Sequence, residues 1–539
     1  MTEPNSVPRR SRTRLLSRRC AFVGVLWLVS LAIAGQASVF LLEKRIPILR
    51  RLGLLETSGV LQTNLYSVRF QRVPIPIDGR YGAIAPLANG VLFASRSGRL
   101  WFVDSSRALR PLGLRVPINI AEFDSDPSSQ ATADKDRFAV KDLLVQYTNR
   151  SVRLLASHNQ WNRDQQCYGL RVSMIELPID SLLGAVAGGA WETLFDTRPC
   201  LAVEVNGEGR RVLTIGAGGR LEALSDRAIL LTVGGWLNDS LPLANPEAYR
   251  DPARDYGKTL VIDLVSRSTR IFTQGHRNPQ GLALGADARI WVTEHSLRGG
   301  DELNLLREGR DYGYPYVSLG TRYQSLDWPL SPVPGRHDGY EKPVYAWAPS
   351  IGPSQLLVVR GGAFSRWRGD LLVTSLAART IFRLRLDGDH VMLAEPIPTI
   401  HRIRDIIETA RGEVVLLAED GFLVYLTPLT GEAGSADLGP LERGQLVAGR
   451  CQGCHSFERG GAHGIGPNLF GVVGRRVAAS GDYAYSQALR SAGGHWTEDA
   501  IRRFVSNPSA FAPGTSMEFS VALAESELDD LILYLLSIR

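Results

Sequence analysis

Several things are scarce in this 539-residue chain, and each scarcity narrows what it can be. Charge of one sign comes first. The 61 Lys and Arg set against 55 Asp and Glu leave only +6, spread along the chain, which gives no basis for a nucleic-acid partner. Helical periodicity is nearly absent over residues 66–428. There, short apolar runs are broken by many of the 54 glycines and 29 prolines, which excludes a helical reading and suits an all-β domain rich in turns. Methionine occurs only as Met1, Met174, Met392 and Met517, and cysteine only as Cys20, Cys167, Cys200, Cys451 and Cys454. Long uncharged runs are equally rare, and the one that stands out, residues 21–42, lies at the N-terminus. The length itself exceeds one ordinary domain.

What is present begins with Cys451-Gln452-Gly453-Cys454-His455. Two thiols at this spacing can add to the two vinyl groups of one haem, leaving the next histidine as an iron ligand. Alone, the same string also suits half a zinc site or a disulfide. Downstream stand Gly466-Pro467-Asn468-Leu469-Phe470-Gly471 and Pro513-Gly514-Thr515-Ser516-Met517. On these residues the segment 441–539 resembles a class I cytochrome c. The resemblance implies haem c bound through Cys451 and Cys454, with His455 and Met517 as axial iron ligands and the Pro467 carbonyl orienting the His455 ring. A thioether is a soft neutral ligand that raises the iron potential, and Met517 is the only one in the segment. His463 and His495 are the rival distal ligands. Helices are expected over 441–451, 497–505 and 526–537, the last with Leu528, Leu531, Ile532 and Leu535 on one face.

Arg9, Arg10, Arg12, Arg14, Arg18 and Arg19 precede the uncharged stretch 21–42. As a helix that stretch spans roughly 30 Å, enough for a bilayer's hydrocarbon core. The arginines favour a cytoplasmic N-terminus, although Lys44, Arg45, Arg50 and Arg51 follow on the far side. Haem attachment through CxxCH is completed outside the bacterial cytoplasmic membrane, so the C-terminal part is expected in the periplasm. The stretch then reads as a single-pass inner-membrane anchor, or as a signal peptide if cleaved near Gly35-Gln36-Ala37. With two cysteines assigned to haem and Cys20 at the membrane edge, Cys167 and Cys200 are the candidates for a disulfide.

Between these ends, strands are clearest over 91–103, 228–233, 259–271, 289–293, 370–386 and 413–426, with a weak repeat of turn glycine, strand, break and strand. Such repetition fits a β-propeller of about six blades. The expected organisation is therefore a basic tail (1–20), an anchor or signal (21–42), an all-β propeller (43–430), a linker (431–440) and an all-α cytochrome c domain (441–539).

Within the propeller the informative string is Gly275-His276-Arg277-Asn278-Pro279-Gln280-Gly281. Glu294-His295, Asp311-Tyr312-Gly313-Tyr314-Pro315, Trp347-Ala348-Pro349-Ser350 and Arg402-Ile403-Arg404-Asp405 support it. On these motifs the domain resembles the soluble aldose (glucose/sorbosone) dehydrogenases that use pyrroloquinoline quinone (PQQ). The resemblance implies PQQ and calcium as cofactors, a sugar or alcohol as substrate, and Arg277, Asn278, Arg402 and Arg404 against the cofactor. Arginine forks suit its three carboxylates. An Arg404–Asp405 ion pair closing the blades is the bland alternative, and His276 and His295 read by default as core histidines.

The departures are as informative. The family's proton-accepting histidine, expected shortly before Gly218-Gly219-Arg220-Leu221, is replaced near Ile215. A lysine expected after Ser375-Leu376 gives way to Ala377 and Ala378. His158, in Ser157-His158-Asn159, is the one substitute base on offer. Two readings follow. One is an enzyme passing electrons from PQQ to its own haem and on to a respiratory acceptor. The other is a catalytically degenerate propeller that binds a ligand or partner beside an electron-transfer cytochrome.

Overall fold

The computed structural model describes residues 57–429 and 439–538, apart from 128–134, 149–150, 184–189, 206–210, 213–216, 236–244, 324, 332, 334, 452–453 and 518–522. The expected span 21–42 and Cys20 lie outside these residues. Among the described residues no helix is long and apolar enough to cross a membrane.

Six antiparallel sheets make the bulk of the molecule. Their first strands, Gly82–Leu87, Val140–Tyr147, Gly218–Ala223, Pro279–Leu284, Pro353–Val358 and Ile403–Glu408, meet their neighbours in a closed ring, the sixth returning to the first. This is a six-bladed propeller. Its middle strands are apolar without alternation, as in Ala228–Val233 and Val414–Ala418, because each sheet packs between two others and is buried on both faces. The long runs expected over 91–103, 259–271 and 370–386 resolve into hairpins whose turns hold small residues: Ser97-Gly98, Ser266 with Ser268, and Ala377-Ala378.

The sixth blade is built from both ends of the domain. Ile403–Glu408, Val414–Ala418 and Phe422–Leu429 are joined by Ser67–Pro74, which pairs in register from Ser67 opposite Leu429 to Pro74 opposite Phe422. Ser58–Gln62 adds an outermost strand. Cys167 and Cys200 form a disulfide in the second blade.

The C-terminal part is helical: Pro440–Gly449, Gln487–Ala492, Glu498–Ser506, Pro508–Phe511 and Glu525–Ser537. Ser486 and Thr497 cap their helices by accepting from Leu489 N and Ala500 N. The first and last helices cross so closely that a Cβ on Gly444 would collide with the Asp530 carbonyl, and Arg443 pairs with Asp530 at 2.6 Å beside the crossing. The first helix also meets Ser58–Gln62, with the Gln62 side chain lying against Gly449. The two short helices, 487–492 and 508–511, carry too little apolar pattern to be read from sequence.

Candidate functional site

Two sites emerge, one in each part. In the helical part Cys451, Cys454, His455 and Met517 line a single cavity. Phe457, Leu469, Val472, Leu489, Phe504 and Leu531 furnish its apolar wall. His455 Nδ1 lies 2.7 Å from the Pro467 carbonyl, so a proton on that nitrogen leaves Nε2 as the ligating one. Burial holds this imidazole below the usual histidine range, keeping it neutral. The ring is seated on backbone. A Cβ on Gly466 would sit 2.6 Å from Nε2 and 2.7 Å from Nδ1, which is why glycine precedes Pro467. Both thiols are unpaired with each other. His463 is engaged by Asp482 at 2.9 Å and by the Asn468 N–H at 2.8 Å, and neither His463 nor His495 lines the cavity. Two free thiols, a neutral imidazole, one thioether and apolar walls fit a c-type haem.

The second site lies on the propeller axis and rests on a repeated irregularity. Five of the six first strands carry a register shift near their start: between Val140 and Asp142, Gly218 and Leu221, Pro279 and Gly281, Pro353 and Gln355, and Ile403 and Asp405. A bulge re-aims the residue it contains. Here it brings Lys141, Arg220, Gln280, Ser354 and Arg404 to one level around the axis. Arg220 joins them. Its guanidinium contacts Asp142 at 3.1 Å and Asp405 at 3.2 Å, and donates to the carbonyls of Gln280 (2.7 Å), Ser354 (2.9 Å) and Arg404 (2.9 Å). Asp405 in turn accepts from Ile84 N at 2.9 Å, so one buried cluster ties all six blades. Burial pushes Asp142 up to about 7 against the pull of Arg220, and raises Asp405 as well. Asp405 therefore pairs with Arg220, not with its neighbour Arg404.

Above this clamp the other arginines gather about His295. Arg277 donates to the His295 carbonyl at 3.2 Å. Arg402 pairs with Glu419 at 2.6 Å and donates to the Leu376 carbonyl, and Arg404 shares the same Glu419. Burial, reinforced by Arg277, Arg404 and Arg402, lowers the His295 imidazole to about 4 despite nearby Asp301. Asn278 is turned aside, its side-chain oxygen accepting from Gln280 Nε2 at 2.7 Å. Buried Arg404 Nε has no hydrogen-bond partner among the described residues. Convergent cations with an unused buried donor fit a polyanionic cofactor such as PQQ.

The remaining expectations fall elsewhere. His158 is fully buried inside the second blade, with Nδ1 2.8 Å from the Asn159 carbonyl and Nε2 2.9 Å from Ser173 Oγ, and burial lowers it to about 4. Both nitrogens are occupied away from the axis. His276 is a core residue between Glu294 and Thr273. Ile215 lies outside the described residues. No group of three or more His, Cys, Asp or Glu among the described residues is arranged to hold a metal ion. Sequence reading passed over Lys141 and Tyr81. The signal was available: Lys141-Asp142 interrupts the otherwise apolar run from Phe138 to Val145.

The fold and sites thus define a two-module protein, a propeller with a polar axial site followed by a helical domain whose cleft fits a haem. Residues 217–424 match the sequence model of the Glucose / Sorbosone dehydrogenase family. A cytochrome c homolog of Bradyrhizobium diazoefficiens is 42% identical over 99 residues, 18% of this chain and 54% of that one. Aldose sugar dehydrogenase YliI of Escherichia coli is 30% identical over 164 residues, 29% and 44% of the two chains. The crystal structure of the soluble aldose sugar dehydrogenase from Escherichia coli superposes with a TM-score of 0.54 at 22% identity, covering 67% of this chain and 99% of that one, which supports the propeller fold. The chain spans about half the length of the curated relatives it matches first, 53% and 54%. It joins a six-bladed propeller similar to the glucose/sorbosone dehydrogenases to a helical domain similar to cytochrome c homologs.

Proposed function

We propose that this chain is a quinoprotein dehydrogenase that oxidises a sugar or alcohol at the propeller axis and delivers the electrons to its own c-type haem. The observation that carries this reading is the gathering of Arg277, Arg402 and Arg404 about His295, in a chain that also holds a cleft lined by Cys451, Cys454, His455 and Met517. When bound, PQQ supplies a two-electron acceptor and haem c a one-electron carrier. Arg277, Arg402 and Arg404 hold carboxylates, Glu419 fixes the fork of the last two, and Pro467 with Gly466 keeps His455 in its ligating orientation. Calcium beside PQQ, a respiratory acceptor beyond the haem, and an inner-membrane anchor at 21–42 with both modules in the periplasm complete the proposal. A covalently tethered acceptor works at high effective concentration, which supports a redox role for the fusion.

One observation favours the second reading, a degenerate propeller that only binds. The single substitute base, His158, is sealed in the second blade, and general-base catalysis is worth about 10²–10⁴-fold. Loading the full chain with PQQ and calcium, offering a panel of aldoses and alcohols, and following haem reduction in the visible spectrum separates the two. Reduction by a member of the panel is expected. Bound PQQ with an oxidised haem throughout sinks the dehydrogenase reading and leaves the binding one.

A further inference from the structure

The charge that faces the axis from the second blade belongs to no role given so far. Lys141 occupies the register shift of Val140–Tyr147, and its stem lies against Gly219, where a Cβ would sit 2.7 Å from Lys141 Cβ. Gly219, at φ +99, belongs to the turn before which the family's histidine is expected. From there the Lys141 amine reaches over the ring of Tyr81, 4.5 Å from its centroid, and the Arg404 guanidinium lies over the same ring at 4.2 Å. Two cations on one aromatic ring repel each other unless an anion joins them.

Among the described residues, the surroundings of Lys141 offer no such anion. Arg96, Arg137, Arg220 and Arg404 face it from four elements, with Tyr81 beneath. The nearby carboxylates are already engaged: Asp136 near Arg96, Asp142 and Asp405 on Arg220, and Glu419 on Arg402 and Arg404. The contact Lys141 makes is with the Arg137 carbonyl at 2.6 Å, and no carboxylate pairs with it among the described residues. On the opposite side of the axis the lysine expected of the fifth blade is absent, Ala377 and Ala378 standing in its place.

We infer that Lys141, with Arg404 across Tyr81, binds a carboxylate of PQQ, supplying from the second blade the cation that the fifth blade lacks. This rests on the quinoprotein reading. It makes binding proton-linked. Burial and the four arginines hold the free amine well below its usual range, and an arriving carboxylate favours the charged form, so binding takes up a proton.

The test is a titration of the full-length haem protein with PQQ, followed by quenching of tryptophan fluorescence between pH 6 and 9. The wild type is expected to lose affinity as pH rises, by up to about tenfold per unit. K141M is expected to bind at least tenfold more weakly at pH 7 with that pH dependence removed, and K141R to restore affinity without restoring the pH dependence. Calorimetry in buffers of different ionisation enthalpy checks the proton uptake directly. If K141M binds PQQ as the wild type does, this inference fails while the quinoprotein reading stands. If the wild type itself binds no PQQ, both fail.

Discussion

Replacing Arg220 by methionine is the sharpest test of how the ring is held. The side chain is 4% exposed and its two carboxylate partners 5% and 1%, so the substitution leaves two buried acids facing each other on the axis. Removing one partner of a buried pair costs about 3–5 kcal/mol, a large share of a typical stability of roughly 5–15 kcal/mol. Three carbonyls, those of Gln280, Ser354 and Arg404, lose a donor in addition. The loss depends on pH in a defined direction. Burial already raises Asp142 to about 7, above its unfolded value, so the folded state holds its proton more tightly and stability falls as pH climbs from about 4 through 7. Without Arg220 both acids rise further, so the deficit of R220M is expected to be larger at pH 8 than at pH 5.5. Urea unfolding followed by the fluorescence of buried Trp291, Trp328 and Trp367 reads the propeller, while haem absorbance reports the helical domain separately. In R220M/D142N/D405N the neutral amides still accept from Leu221 N and Ile84 N, and much of the lost stability should return. A deficit below about 1 kcal/mol, or a triple variant no more stable than R220M, would refute the account of the clamp.

Two further outcomes follow from the same geometry. G466A places a methyl group against the His455 ring and is expected to abolish ordinary haem ligation, seen as a changed Soret band with the propeller's unfolding midpoint unaltered. H158Q removes a histidine that burial depresses to about 4: the unfolded chain binds that proton first, so the wild type loses stability as pH falls from about 6.5 to 4, by up to roughly 3 kcal/mol, and the variant should show a flatter urea-midpoint profile over that window.

The haem cleft was readable because covalent chemistry dictates its spacing: Cys451, Cys454 and His455 are adjacent, and Met517 has no competitor of its type in the segment. The propeller was readable as rhythm, since hairpins of short apolar strands repeat along the chain. The axial site was only half visible. Arg277, Arg402 and Arg404 stand in motifs, but Arg220 was passed over as part of a turn. Its five partners come from four other strands, at separations no local pattern records. Lys141 owes its position to a bulge, whose one sign in the sequence is the charged pair that interrupts the apolar run 138–145, and His158 owes its burial to the width of its sheet.

The shared sixth blade also sets the order of events during synthesis. Ser67–Pro74 has its partner only when Phe422–Leu429 has been made, so the ring stays open until nearly the whole domain is available. Bringing strands so far apart in sequence together costs on the order of 5 kcal/mol in chain entropy, recovered only when the full set of ladder bonds forms at once. Pairings of such high sequence separation fold slowly. The helical segment behind it closes over a much shorter separation, Arg443 to Asp530 at 87 residues, so it is expected to fold while the propeller is still an unclosed arc.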